Sequence, residues 1–547
     1  MQEKSMVKSA FILTIGNIIA KVIGVIYVFL FSNLVSSKGL ALYSYAYIPY
    51  VLFLDLATLG IPIGIMKLIS FYKEEEKLGF SFYLYKRIRY FSLGLGFLMF
   101  FVMFISSDFL ATLILAGEQS IENNVRDVSR VIKIISLALI IIPNLALLRG
   151  IFNSLKFTKA TAMSQIIEQL VRVAIILISS FIIIVLMKKS YVYAIYISVL
   201  AAFISGLITF IILYVRYNKL TKDVSLIDHF KIDYKKLLKT VGSYSLPVVL
   251  VTVLITLYSL IDTLTFNRAF LIHGLANSEV TYATYAFEIN KLIMLPTALG
   301  ASFGMSLIVY ARAKKKEQNN AYFNTQMIKA FQTLCFIIIP IVVLYMVFNQ
   351  AIYASLYNAF NPYGPMILFT AAPLIILYSY LNITNGIMQS IRKEWSLVIA
   401  LVIGVSLKYL YNITLIGRFN VGGAVLATYI GLFVTLMINL IIIKQKTGFN
   451  YFYLIRRLLL NMVLAVLIGM VLYHINFTIF NFQIDYSNRL LTLLFLAINC
   501  ILYALMYLVA SYFLGLIDII FGKEIELKQI TPYLKFKTYI KKFSNML

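Results

Sequence analysis

Stretches of about 20 apolar residues recur along the entire chain, the length a helix needs to cross the hydrocarbon core of a bilayer. They lie near 9–35, 41–70, 90–116, 129–153, 163–187, 192–215, 242–265, 283–310, 325–347, 364–390, 396–415, 422–443, 458–478 and 490–517, and are numbered here as spans 1 to 14. Lipid offers the backbone no hydrogen-bonding partner, so such segments close their own bonds as helices. The expected fold is an all-α polytopic membrane protein of about 14 transmembrane helices. Composition agrees, with 61% hydrophobic and 13% charged residues and a mean hydropathy of +0.90, far from a soluble average. Span 1 is a full crossing with no small-residue cleavage site behind it, so no cleavable signal is expected.

The net charge of +26 invites a nucleic-acid reading, but the placement of the charge argues against it. With both termini on one side, the loops of that side collect roughly 32 Lys and Arg and the opposite loops roughly 7, the positive-inside bias. These residues orient helices and face anionic lipid. The expectation is a bacterial cell membrane protein with both termini cytoplasmic and no nucleic-acid partner.

One short phrase occurs twice. Residues 150–156 read Gly-Ile-Phe-Asn-Ser-Leu-Lys and residues 386–392 read Gly-Ile-Met-Gln-Ser-Ile-Arg, 236 positions apart, each ending an apolar run at a basic loop. Two halves on one plan are a common build of secondary transporters. The division expected is a six-helix lobe at 1–218, a basic linker at 219–241, a second six-helix lobe at 242–445, two extra spans within 456–518, and a basic tail at 519–547. The tail reads equally as a surface-lying amphipathic helix or as a disordered segment. Pro62 between Gly60 and Gly64, and Pro296 before Gly300 and Gly304, let spans 2 and 8 bend or pack closely.

Ionisable residues inside spans are costly and mark cavities or partners. Lys21, Asp55, Asp262, Lys291 and Lys408 lie within spans 1, 2, 7, 8 and 11, and Glu168 and Arg172 share one face of span 5. The repeat offset pairs Arg172 with Lys408 and Asp55 with Lys291. Glu168–Arg172 reads as an intrahelical pair, Arg149 and Lys67 as snorkelling side chains, and Glu288 as a brace for Lys291. Lys21 and Lys291 are too deep to snorkel. Two cations without carboxylates at their depth suit an anionic ligand, a phosphate or diphosphate above all. Tyr27, Tyr43 and Tyr47 crowd the same spans, Tyr43 and Tyr47 on one face. No Gly-x-x-x-x-Gly-Lys loop occurs, His229, His273 and His474 are scattered, and Cys335 and Cys500 both sit in spans. Neither catalysis, an ATPase engine nor a metal cluster is expected.

Several runs resemble a known family: Lys21-Val-Ile-Gly-Val-Ile-Tyr27, Ala41-Leu-Tyr-Ser-Tyr-Ala-Tyr47, Gly60-Ile-Pro62, Leu148-Arg-Gly150, Ser164-Gln-Ile-Ile-Glu-Gln-Leu-Val-Arg172, Ile261-Asp-Thr-Leu-Thr-Phe-Asn-Arg268, Lys291-Leu-Ile-Met-Leu-Pro296 and Gly422-Gly-Ala-Val-Leu-Ala-Thr428. The chain resembles the Gram-positive lipid II flippases of the MurJ type, within the multidrug/oligosaccharidyl-lipid/polysaccharide exporter superfamily. The resemblance implies V-shaped lobes around a cationic cavity. An undecaprenyl-linked peptidoglycan precursor would cross by alternating access, its diphosphate on Lys21 and Lys291 with Tyr27 and Tyr43 nearby, its tail along spans 13 and 14. Cell-wall synthesis proteins are the partners it implies. Arg149, Glu168, Arg172 and Asp55 are assigned to lobe structure or gating. Some members use a sodium site on spans 7, 11 and 12, whose matching places here are Asp262, Lys408, Asn412 and Thr428. No cofactor is expected; sodium coupling is the alternative, though a lysine at such a site takes the ion's place. The alternatives are a flippase for another undecaprenyl-linked glycan, a multidrug/cation antiporter, and a non-transporting scaffold.

Overall fold

The computed structural model describes residues 2–58, 60, 64–65, 68–69, 77–116, 123–221, 234–314, 320–357, 359–479 and 485–516. Pro62, Lys67, His229, most of the basic linker and the tail from 517 onward lie outside them. The regular structure among the described residues is helical. In chain order the helices are α1 (Gln2–Leu34), α2 (Ser37–Thr58), α3 (Lys77–Ile105), α4 (Ser107–Leu115), α5 (Val125–Ser136), α6 (Ala138–Ser154), α7 (Thr158–Ser180), α8 (Tyr191–Thr221), α9 (Tyr234–Ile272), α10 (Ser278–Ala283), α11 (Asn290–Lys314), α12 (Asn320–Val347), α13 (Asn349–Leu356), α14 (Tyr363–Ala371), α15 (Leu374–Ser390), α16 (Glu394–Phe419), α17 (Val421–Thr447), α18 (Phe452–His474) and α19 (Arg489–Phe513). Twelve helical segments among the described residues are long and apolar enough to cross a membrane. They match spans 2 to 7 and 9 to 14, while α1 and α11 carry spans 1 and 8. The chain is a multi-pass helical membrane protein.

Span 3 is displaced from its expected place: the helix runs Lys77–Ile105 rather than 90–116. Lys86, Arg87 and Arg89 lower the hydropathy of its first turns without interrupting its backbone bonds. The helix ends at a serine pair, where Ser107 Oγ donates to the Phe104 carbonyl at 2.7 Å and competes with the helical ladder.

Contacts divide the chain into two compact units, one of Met1–Leu295 with Glu394–Gly431, the other of Pro296–Lys393 with Leu432–Leu547. In the first unit α1 packs along α7, α7 along α8, α3 along α6, and α9 along α16. Small residues set these approaches. A Cβ on Gly16 would fall 2.6 Å from the Ala162 Cβ, and one on Gly96 would fall 2.5 Å from the Leu139 carbonyl. That carbonyl has no intrahelical donor because Pro143 stands four residues on. In the second unit a Cβ on Gly300 or Gly304 of α11 would lie 2.5 Å from the carbonyl of Ser379 or Asn382 on α15. The glycines after Pro296 therefore serve close helix packing.

The repeated phrase forms the same local structure twice. After α6, the amides of Leu155, Lys156 and Phe157 bond the carbonyls of Ile151, Asn153 and Phe152; after α15, those of Ile391, Arg392 and Lys393 bond Ile387, Gln389 and Met388. Lys156 (φ 63°) and Arg392 (φ 58°) occupy the left-handed position. Each copy is a helix stop of the Schellman type, with a basic residue where glycine is commonest.

One end of the first unit is tied by a buried carboxylate. Glu279 on α10 accepts from Asn123 Nδ2 at 2.9 Å and from the Asn123 amide at 3.4 Å. Asn123 also donates to the Lys38 carbonyl at 2.9 Å and accepts from Tyr191 Oη at 3.3 Å. The segments before α5 and at the starts of α2, α8 and α10 thus meet at one group. Burial pushes the Glu279 carboxyl above its ordinary value of 4.5, against the opposing pull of the Asn123 bonds and Lys38. The unfolded chain releases this proton first as pH rises, so stability is full below about 4.5 and falls as pH climbs through the raised value. Thermal unfolding in detergent should show wild type gaining stability on acidification toward that value. Glu279→Gln should lack that gain and match or exceed wild type at neutral pH; identical pH profiles for the two proteins would contradict the assignment.

Candidate functional site

The first unit carries a half-enclosed cavity of about 450 Å³. Its wall takes Lys21, Gly24 and Tyr27 from α1, Tyr43 and Tyr47 from α2, Arg149 from α6, Gln165, Glu168, Gln169 and Arg172 from α7, and Lys291 from α11. The α7 residues recur at intervals of three, one and three, so they form one polar stripe on an otherwise apolar helix. On α1 positions 21, 24 and 27 follow at steps of three, and all three residues line the cavity. Gly24 leaves room for Gln169: a Cβ there would sit 3.0 Å from Nε2 of that residue.

The structure brings together Lys21, Lys291, Tyr27, Tyr43, Arg149, Glu168 and Arg172, which the sequence divided between a binding role and a structural one. Tyr43 and Tyr47 stack with centroids 5.5 Å apart, and Lys291 Nζ stands 5.4 Å from the Tyr47 ring centre, a cation–π contact. Among the described residues no carboxylate pairs with Lys21 or Lys291. The expected brace from Glu288 is therefore not formed. The backbone shows why: Thr284–Ile289 is a π-helical turn, which widens the turn and takes Glu288 off the face of Lys291. The same turn seats Phe287 against Phe31 and Tyr43, with centroids 6.0 and 5.6 Å apart.

Arg149 does not snorkel. It is 17% exposed and donates through Nη2 to Glu168 Oε2 at 2.7 Å and through Nε to Ser164 Oγ at 2.9 Å. Arg172 pairs with the other carboxylate oxygen, Oε1, and its Nε lies 3.5 Å from Ser205 Oγ. The wall thus holds four cations and one carboxylate, an excess of positive charge in a half-enclosed, low-dielectric space. Sequence reasoning missed Gln165 and Gln169 as wall residues, singled out Tyr47 without assigning it to the wall, and placed Arg149 elsewhere. The stripe of polar residues on α7 was the available signal. Asp55, the repeat mate of Lys291, is not in this wall; it accepts from Thr256 Oγ1 at 2.7 Å.

A second charged group lies deep in the same unit. Lys408 Nζ donates to Asp262 Oδ2 at 2.6 Å and to Thr428 Oγ1 at 2.7 Å, with the Lys408 side chain 1% and the Asp262 side chain 5% exposed. Tyr285 Oη donates to the same Asp262 oxygen at 3.2 Å, Asn412 Nδ2 donates to Thr265 Oγ1 at 2.8 Å, and the Tyr258 ring lies 5.7 Å from the ammonium. Asp262, Lys408 and Thr428 thus converge, and Asn412 bonds Thr265, three residues along from Asp262. The ammonium lies against Asp262 Oδ2 and Thr428 Oγ1, two of the oxygens at these matching places.

The family model described as polysaccharide biosynthesis protein matches residues 6–308. The lipid II flippase MurJ of Bacillus subtilis (strain 168) is 31% identical over 532 residues, 95% of this chain and 97% of that protein. Among solved structures, the lipid II flippase MurJ in an inward closed conformation superposes with a TM-score of 0.65 at 17% identity, covering 92% of this chain and 98% of that one. An inward-facing multidrug resistance transporter of the MATE family, in the MOP superfamily, gives 0.56 at 14% identity, covering 80% and 94%.

The buried pair is testable by itself. Lys408→Met leaves the Asp262 carboxylate buried and uncompensated and should cost about 3–5 kcal/mol in detergent unfolding. Combining it with Asp262→Leu should recover most of that loss. A double variant no more stable than the single would show that the two charges do not compensate one another.

Proposed function

This chain belongs to the polysaccharide biosynthesis protein family, alongside the lipid II flippase MurJ, and from that premise we infer that it is itself a lipid II flippase. The observation that carries the reading is the charge of the cavity: Lys21 and Lys291 face it without carboxylate partners among the described residues, beside two arginines that share one. A diphosphate is the part of a lipid-linked precursor that such a wall would hold, with lysines acting as mobile point charges. The tyrosines and the amides of Gln165 and Gln169 offer ring faces and hydrogen bonds to sugars. The protein acts as a carrier and not as an enzyme, moving the head group by alternating access between lobes at 1–218 and 242–445. The polyprenyl tail follows spans 13 and 14 within 456–518, both termini are cytoplasmic in the bacterial cell membrane, and cell-wall synthesis proteins are the partners, with no nucleic acid. A flippase for another undecaprenyl-linked glycan is the second reading, favoured by the breadth of the matched family. A multidrug/cation antiporter fits poorly, because a cation carrier needs carboxylates where this wall has lysines and arginines.

We further propose that Lys408 stands in place of a coupling cation and that transport needs no sodium; its contacts with Asp262 and Thr428 support this. Substrate flux in liposomes should be unchanged when sodium is replaced by potassium at fixed membrane potential. Flux rising steeply with sodium would refute it.

The main reading is tested by depleting the native lipid II flippase of a Gram-positive host and expressing this chain. Wild type should restore growth and cell shape, and Lys291→Ala should insert normally yet fail to rescue. Correctly inserted wild type that does not rescue would move the assignment to a different glycan-lipid.

A further inference from the structure

Two arginines from different helices share one carboxylate in the cavity wall, and this is more charge than structure requires. An intrahelical Glu168–Arg172 pair on α7 is complete as it stands. Arg149, reaching across from α6, leaves the cluster with one net positive charge at 12–17% exposure. Such a charge in an apolar interior is costly unless an anion shares it. The contacts also leave donors available. Each guanidinium commits Nε to a serine and Nη2 to Glu168, and Nη1 of each takes no acceptor among the described residues. Both side chains line the cavity. Glu168 therefore acts as a clamp that holds two planar donor forks in fixed orientation, with Ser164 anchored by its own bond to the Thr161 carbonyl at 2.7 Å.

We propose that Arg149 and Arg172, clamped by Glu168, form a second anion subsite that binds a carboxylate on the peptide stem of the carried head group. The proposal rests on the flippase reading above and deepens it. Guanidinium forks match the flat, two-oxygen geometry of a carboxylate, whereas the ammonium groups of Lys21 and Lys291 suit the rounder charge of a diphosphate. The cavity then reads two ends of one ligand: the lysines hold the part common to every diphosphate-linked lipid, and the arginines select for an acidic peptide. Arg149 and Arg172 set specificity, and Glu168 is a positioning residue.

The test uses the full chain in lipid nanodiscs and three ligands: lipid II with free peptide carboxylates, lipid II with those carboxylates amidated, and the same disaccharide lipid without peptide. Wild type should bind the free-carboxylate form about tenfold more tightly than the amidated form, the scale of one charge-assisted bond. Arg172→Gln should erase that difference, weakening the free-carboxylate form far more than the peptide-free lipid. Lys291→Gln should weaken all three ligands alike. Equal binding of the free and amidated forms by wild type would overturn the subsite, and so would an Arg172→Gln loss shared equally by the peptide-free lipid. Should Arg172→Gln fail to fold, the wild-type comparison decides alone. Wild type that binds none of the three would remove the flippase reading itself, an outcome distinct from failure of the subsite.

Discussion

An ionised group held in an apolar interior must be neutralised, hydrogen-bonded or opened to water, and this constraint shapes every informative part of the first unit. Three solutions coexist there. Lys408 and Asp262 form a closed pair, nearly inaccessible and further bonded by Thr428 and Tyr285. Glu168 is shared between two arginines, leaving the cluster cationic. Lys21 and Lys291 pair with no carboxylate among the described residues and face the cavity instead. The gradient from closed pair to open cation separates what holds the fold from what is free to meet a ligand.

The Thr284–Ile289 π turn connects these solutions. Its Tyr285 reaches Asp262, its Phe287 packs on Phe31 and Tyr43, and Lys291 follows it directly into the cavity. A movement of this turn would reach the closed pair and the cavity wall together. Around it, helices approach closely where glycine or alanine removes a side chain, as at Gly16 against Ala162 and Gly96 against the carbonyl that Pro143 leaves free. Without a hydrophobic force between helices in lipid, such packing must carry the association.

Much of this was legible from residue order. Apolar stretches of membrane length located the helices, and the doubled Gly-Ile-x-x-Ser phrase marked two equivalent helix stops. Lys21 and Lys291 stood out because a lysine deep in a span has few bland explanations. The Asp262–Lys408 contact was anticipated through resemblance and is formed at 2.6 Å. Arg149 was misread because its nearness to a helix end hid the carboxylate on a neighbouring helix. Glu288 was misread because a uniform helical period put it beneath Lys291, and a π turn changes that period. The tie between Glu279 and Asn123 joins residues 156 apart and has no local signature.

What the order of residues determined by itself was what local periodicity and solvent govern: helix where apolar runs meet lipid, and polar stripes on single faces. Only the tertiary structure decided which charges share a carboxylate and which stay open. That choice depends on distances between helices, and those are set by small-residue packing and by one widened turn rather than by spacing along the chain.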